Sequence, residues 1–202
     1  RSRGLGDVYK RQQVGKVKYT EMRSYMFEVN EKVVYGVVGV CEIEQIGRPP
    51  IKGIDKDYYF LQPVYDTKGI IYSPVENNKV MIRSIIGKDT CIKLIDRAKN
   101  CKKDEALNEK IHPSRYDEMV KSQDVIQLMH LVRALFNIKN DRAKELRRMK
   151  SADNRMLATA RKLLYGEIAA AMNEDYTAMS EQMDNYPVSY THLRAHETEA
   201  DL

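Results

Sequence analysis

The sequence predicts an α+β protein of two domains, a small β-barrel followed by an all-α helical domain. Three observations carry this. Short runs rich in Val, Ile and Tyr, broken by Gly and Pro, fill residues 26–83. Apolar residues recur at helical spacing through residues 84–187. No internal repeat or low-complexity stretch lies between Met26 and Tyr186 to suggest any other organisation.

The chain has 202 residues, enough for two small cores. At 43% hydrophobic and 31% charged it reads as globular and not as intrinsically disordered. No run of 18 apolar residues suggests a membrane span, and no charged-then-apolar leader is visible. Cys41, Cys91 and Cys101 form an odd set without a CxxC pair, which predicts reduced thiols in the cytosol. Residues 1–11 and 188–202 have no helix or strand period and resemble translated sequencing-adapter sequence, so both are expected to be non-native. Residues 12–25 are ambiguous, with Met22 and Met26 as the two candidate starts.

The strands come first. Lys32–Tyr35 and Val37–Gln45 are separated by Gly36 and Gly39, candidates for turn or bulge positions. Arg48-Pro49-Pro50 stops the second strand. Asp57–Val64 is the third, and Pro63 within it marks an edge or a strand end. The turn Asp66–Gly69 leads to Ile70–Ser73, closed by Pro74, and Val80–Ile82 makes a fifth. Five short strands in under about 60 residues suggest an SH3-like or Tudor-like barrel. Helices follow at Asp89–Lys99, from Pro113 to Lys121, and from a capping box made by Asp124 and Gln127. The last of these buries Val125, Leu128, Met129, Val132, Leu135 and Phe136. Ser151 is read as the cap of the longest helix, whose face is Met156, Ala160, Leu163, Leu164, Ile168 and Met172. Asp175–Asn185 adds a short final one.

Charge is uneven along the chain. The net charge is +5. Residues 139–162 alone hold Lys139, Arg142, Lys144, Arg147, Arg148, Lys150, Arg155, Arg161 and Lys162 against Asp141, Glu145 and Asp153. Such a belt faces either water or phosphates; in the second case binding is salt-sensitive and largely blind to sequence.

No catalytic constellation emerges. His112 sits beside Pro113, and His130 lies among Met129 and Leu131 on a helix, where a structural role is the commoner one. A pair of Cys91 with His112 has no flanking signature, and no nucleotide-loop, nucleophile-elbow or zinc-protease motif is present. A non-enzyme without cofactor, metal or small-molecule substrate is expected. The abundant Met and Tyr residues suit adaptable helical cores and half-buried strands.

The stretch MFEVNEKVVYGVVGVCEIEQIG, with YYFLQPVYDTKGIIYSPVEN after it, resembles the N-terminal module of the CarD/CdnL family of bacterial transcription regulators. That module is similar to the RNA-polymerase-interacting domain of the transcription-repair coupling factor. LVRALFN and RMLATARKLLYGEIA resemble the family's helical domain, so the likeness runs over roughly residues 26–173. It implies a barrel (26–83) that adds a strand edge to the polymerase β subunit, and a helical domain (84–187) on promoter DNA at the upstream edge of the melted region, stabilising the open complex. Carried over by position, Ile70, Ile71, Tyr72 and Ser73 supply the edge. Tyr72 stands where some relatives have arginine, and Arg48 is a nearby substitute.

The resemblance also places Arg115, Arg155 and Arg161 on basic positions of the family, whereas Asp117, Asn154 and Thr159 stand where relatives can have lysine. With Lys139, Arg142, Arg147, Arg148 and Lys162 from the belt, these arginines are the expected contacts to backbone and minor groove. The family's tryptophan wedge is missing, because the chain has no Trp. The position falls near Glu105–Leu107, where Leu107 is either a smaller wedge or an ordinary helix residue. A cytoplasmic, nucleoid-associated protein follows from this likeness. The alternative is a polymerase-binding module whose helical domain recruits a protein and does not touch DNA.

Overall fold

Alternating side chains decide the sheet. In the computed structural model, which describes residues 26–51, 53–66, 69–76, 79–100, 107 and 109–188, five strands form one antiparallel sheet. They are β1 (Lys32–Tyr35), β2 (Gly39–Gly47), β3 (Tyr58–Pro63), β4 (Ile71–Pro74) and β5 (Ile82–Ser84), in the order β4-β3-β2-β1-β5. Val33, Cys41, Ile43, Tyr59 and Leu61 point to one face and pack with Phe27 into a core of their own. Val34 and Val40, paired across β1 and β2, are buried on the opposite face. The last strand returns to the first, as in a small barrel. Among the described residues β4 and β5 do not pair, so both remain edges.

Local chemistry sets the corners. The β1–β2 turn needs φ of +48° at Gly36 and +96° at Gly39, and a Cβ on Gly36 would lie 2.8 Å from a methyl of Val80. Pro63 closes β3 and so costs the ladder nothing further along. Several strand ends differ from expectation by one or two residues. β4 begins at Ile71 and not Ile70. β5 begins two residues late, at Ile82, although the Met81 carbonyl beside it accepts the Gly36 N–H. The register slips between Ile43 and Gln45, a bulge that alternation alone does not reveal.

Five described helices follow: α1 (Lys88–Lys99), α2 (Tyr116–Ser122) after a 3-10 turn at Pro113–Arg115, α3 (Val125–Lys144), α4 (Ser151–Met172) and α5 (Tyr176–Val188). Asp124 caps α3, its Oδ1 accepting the N–H groups of Ile126 and Gln127 at 2.8 and 2.9 Å. The reciprocal half of the expected box is absent: the Asp124 N–H donates to Ser122 Oγ, not to Gln127. Ser151 does not cap α4; Lys150 occupies that position and supplies no side-chain bond. From Leu163 to Ala170 every residue of α4 is buried, because α3, α5 and β2 all pack on it.

One residue in that buried run is Glu167, fully buried. Arg83 of β5 donates to both of its oxygens, Nη2 reaching Oε2 at 2.8 Å. The Ile86 N–H donates to Oε1 at 3.0 Å, and Arg83 Nη2 also reaches the Gln123 carbonyl at 2.8 Å. Tyr65 makes a second link, its hydroxyl donating to the Gly166 carbonyl at 2.9 Å. A Cβ on Gly166 would come within 3.0 Å of that ring, so glycine lets the tyrosine approach the helix. The two halves therefore meet across a polar seam in which Arg83, Glu167 and Tyr65 all find partners.

Candidate functional site

Two surfaces lie outside these cores. The first is the open edge of β4. Its register with β3 pairs Tyr59 with Ser73, Phe60 with Tyr72 and Leu61 with Ile71. Ser73 is fully buried and Ile71 packs on the inner core. Tyr72 points outward, 37% exposed, with its ring edge-on to Phe60 at 4.9 Å between centroids. Ile70 is exposed just before the strand. The side of β4 away from β3 offers the backbone groups by which a further strand can pair. Arg48 lies two strands away, beyond the row that joins Gly47, Tyr58 and Pro74. It forms an exposed ion pair with Asp55 at 2.8 Å, worth about 0–1 kcal/mol and easily exchanged for another partner.

The second surface is the tip where α3 ends and α4 begins. Lys139, Lys144, Arg147, Arg148, Lys150 and Arg155 are all exposed there, and Arg142 is half-buried. The turn is held by the Arg147 N–H on the Arg142 carbonyl at 2.8 Å and the Leu146 N–H on the Ala143 carbonyl at 3.0 Å. Lys144 pairs with Asp141 and Arg147 with Glu145, both in water, so their charges remain available to a partner. Leu146 stands at the apex with φ +55° and 96% of its surface exposed. The left-handed conformation costs a leucine about 1–2 kcal/mol. Sequence reasoning missed it; the only signal was an apolar residue between charged neighbours in KELRR. Arg115 is exposed on the 3-10 turn.

Three expected DNA contacts need correction. Leu107 is 1% exposed and belongs to the helical core, so it reaches no groove while the domain is folded. Arg161 is turned inward: its guanidinium is paired with Asp184, donates to Ser180 Oγ at 2.8 Å and lies over the Tyr165 ring at 5.6 Å. Lys162 stands near Cys41 of β2, on the sheet side of α4 and away from the tip. The linear run of charge thus divides into a part at the tip, ending near Arg155, and Arg161, whose charge is spent on internal structure.

The thiols are placed for packing. Burial pushes Cys41 up to about 11 despite the opposing charge of Lys162, and burial with the nearby Glu167 does the same to Cys91. His112 is exposed and bound to Ser114 Oγ at 2.8 Å, while the His130 ring meets the Glu109 carbonyl at 3.1 Å. Cys91 is fully buried, so it does not combine with exposed His112 into a reactive pair. Among the described residues no cluster of His, Cys, Asp or Glu has the makings of a metal site, and no helix is long and apolar enough to cross a membrane. The raised thiols have a testable sign. Both are protonated in folded and unfolded chains below pH 9, the unfolded value. From pH 9 to about 11 only the unfolded chain ionises freely, so stability should fall by about 2–3 kcal/mol per thiol. Thermal melts between pH 8 and 11 should show this loss, and a Cys41→Ala, Cys91→Ala variant should flatten it; an equal slope in both proteins refutes the assignment.

Two family models match the chain. One, described as CarD-like/TRCF RID domain, matches residues 27–86. The other, described as CarD, C-terminal domain, matches residues 93–184. The first holds the whole sheet with its open β4 edge, and the second holds the basic tip. The chain belongs to the CarD family, non-enzymatic transcription regulators that interact with RNA polymerase.

Proposed function

We propose that the sheet half, a Tudor-like module, binds the RNA polymerase β subunit by strand addition along β4, while the α3–α4 tip rests on promoter DNA at the upstream edge of the bubble. The observation that carries this is the pairing of an open strand edge with an exposed cationic tip on two halves joined by a buried seam. Strand addition draws affinity from main-chain bonds and specificity from outward residues, here Tyr72 and Ile70. At the tip, cations neutralise phosphates, and the uncapped N-terminus of α4 adds free N–H groups of the same polarity. Leu146 takes the place that Leu107 cannot fill, an apolar side chain set among arginines, as in proteins that distort the minor groove. Holding distorted DNA would stabilise the open complex, in a cytoplasmic protein associated with the nucleoid.

Tyr72→Asp tests the edge. The side chain is on the outer face but its ring packs on Phe60, so thermal stability should fall by about 1–2 kcal/mol and leave the fold intact, while affinity for an isolated polymerase β lobe should fall by about tenfold or more. Undiminished capture of the lobe by the variant removes β4 from the interface. Open-complex lifetime on a promoter, with and without the protein, tests the DNA half. An unchanged lifetime favours the alternative in which the helical half recruits a protein.

A further inference from the structure

The sheet stops short of closing on itself. β4 ends at Pro74, β5 begins at Ile82, and no pairing joins the two among the described residues. A cleft of about 540 Å3 opens at that gap. Its inner wall is Phe27 and Tyr59, both buried members of the core of the sheet half. Val75 and Ile82, half-buried against the same core, form its flanks. Met26 and Met81 stand exposed at its mouth.

Tyr59 is 1% exposed, with its ring edge-on to Phe27 at 5.8 Å between centroids. Its hydroxyl is buried and has no hydrogen-bond partner among the described residues. Buried polar groups nearly always find partners, and one left without costs stability that a phenylalanine would not. The volume lies within the range of sites that enclose a guest larger than one side chain, about 300–1,000 Å3. Such sites are mostly apolar, with a small number of placed polar groups that orient what enters. Methionines at the mouth adapt to the shape of a partner.

The position of the cleft selects the guest. Val75 and Glu76 follow Pro74 directly, so the cleft begins where the open β4 edge ends. A strand laid along that edge and continued past Pro74 crosses the mouth. Side chains of an extended segment alternate, so every second one turns inward. We infer that the polymerase segment that pairs with β4 runs on into this cleft, places apolar side chains at alternate positions between Val75, Met81 and Phe27, and gives an oxygen acceptor to the Tyr59 hydroxyl. The inference rests on the reading of β4 as the polymerase edge. Main-chain bonds along β4 accept almost any sequence, so the cleft is where the partner's side chains are chosen.

The test measures the affinity of the full chain for the isolated polymerase β lobe, with the Tm of the free chain beside it. Tyr59→Phe removes one oxygen and keeps the ring. Its Tm is expected to equal or exceed that of the parent, while lobe affinity falls by about three- to tenfold. Met81→Glu, at an exposed position, should hold Tm within about 2 °C and weaken the lobe by about tenfold or more. Tyr72→Asp separates this inference from the reading beneath it. If Tyr72→Asp weakens binding while Tyr59→Phe and Met81→Glu bind like the parent, the cleft is overturned and the edge stands. If Tyr72→Asp also binds like the parent, the edge fails and the inference with it. A lower Tm for free Tyr59→Phe would mean that the chain itself already partners the hydroxyl. Dimers of the free chain in sedimentation, dissolved by Met81→Glu, would put a second copy in the cleft. Either result overturns the inference.

Discussion

Replacing Arg83 with methionine is expected to destabilise the protein by about 3–5 kcal/mol, the cost of stranding a buried charge. Glu167 is fully buried, and its other hydrogen bond comes from the Ile86 N–H. Without the guanidinium its carboxylate faces apolar neighbours with that single donor. For a chain of this size about 1 kcal/mol moves Tm by 2–4 °C, so a fall of roughly 10 °C is expected in calorimetry. The converse change should cost less. Glu167→Ala leaves Arg83, whose side chain is 27% exposed and still reaches the Gln123 carbonyl. Adding Glu167→Leu to Arg83→Met should recover part of the stability, since an apolar pair strands no charge but leaves the Ile86 N–H and the Gln123 carbonyl without these partners. A Tm within about 2 °C of the parent for Arg83→Met would remove the ion pair as the tie between the halves.

Arg147→Ala with Arg148→Ala should weaken binding to duplex promoter DNA by about 10–100-fold at 0.1 M salt and shorten the open complex in proportion. The log–log salt slope should fall by about two, one for each phosphate that the variant no longer neutralises. Both side chains are exposed, so stability should shift by no more than about 0.5 kcal/mol. Arg161→Ala should do the reverse. It removes the partner of Asp184 and Ser180 within the helical core, lowers Tm and leaves the salt slope alone. Filter binding across a salt series separates the two variants. Equal slopes in parent and double variant would take the tip off the DNA.

The contrast between these arginines marks how far sequence reasoning reached. Strands, helix faces and the Asp124 cap were legible because each depends on residues a few positions apart. The β4 edge was placed to within one residue by its flanking Gly69 and Pro74. A run of cations, however, reads alike whether its members face water or a carboxylate elsewhere in the fold. Arg161 finds Asp184 23 residues later, and Arg83 finds Glu167 84 residues later. Glu167 in LLYGEIAAAM was visible as a charge within an apolar run, and that is the pattern a buried pair leaves. Leu107 stayed open between wedge and helix residue in the sequence because its burial is decided by elements far along the chain, in the core with Met129, Leu164 and Met183.

Tyr65 on Gly166 and Arg83 on Glu167 attach the halves at two separate points, and two attachments remove the hinge that one linker would leave. Adjacent base pairs are about 3.4 Å apart along a strand. On the function proposed here, a stiff body gripped by polymerase at β4 would set down its tip a constant number of base pairs away. Such a protein counts along DNA instead of reading it. Its effect would then vary from promoter to promoter with the spacing of the melted region from the polymerase lobe, and two promoters sharing no sequence at the tip would respond alike.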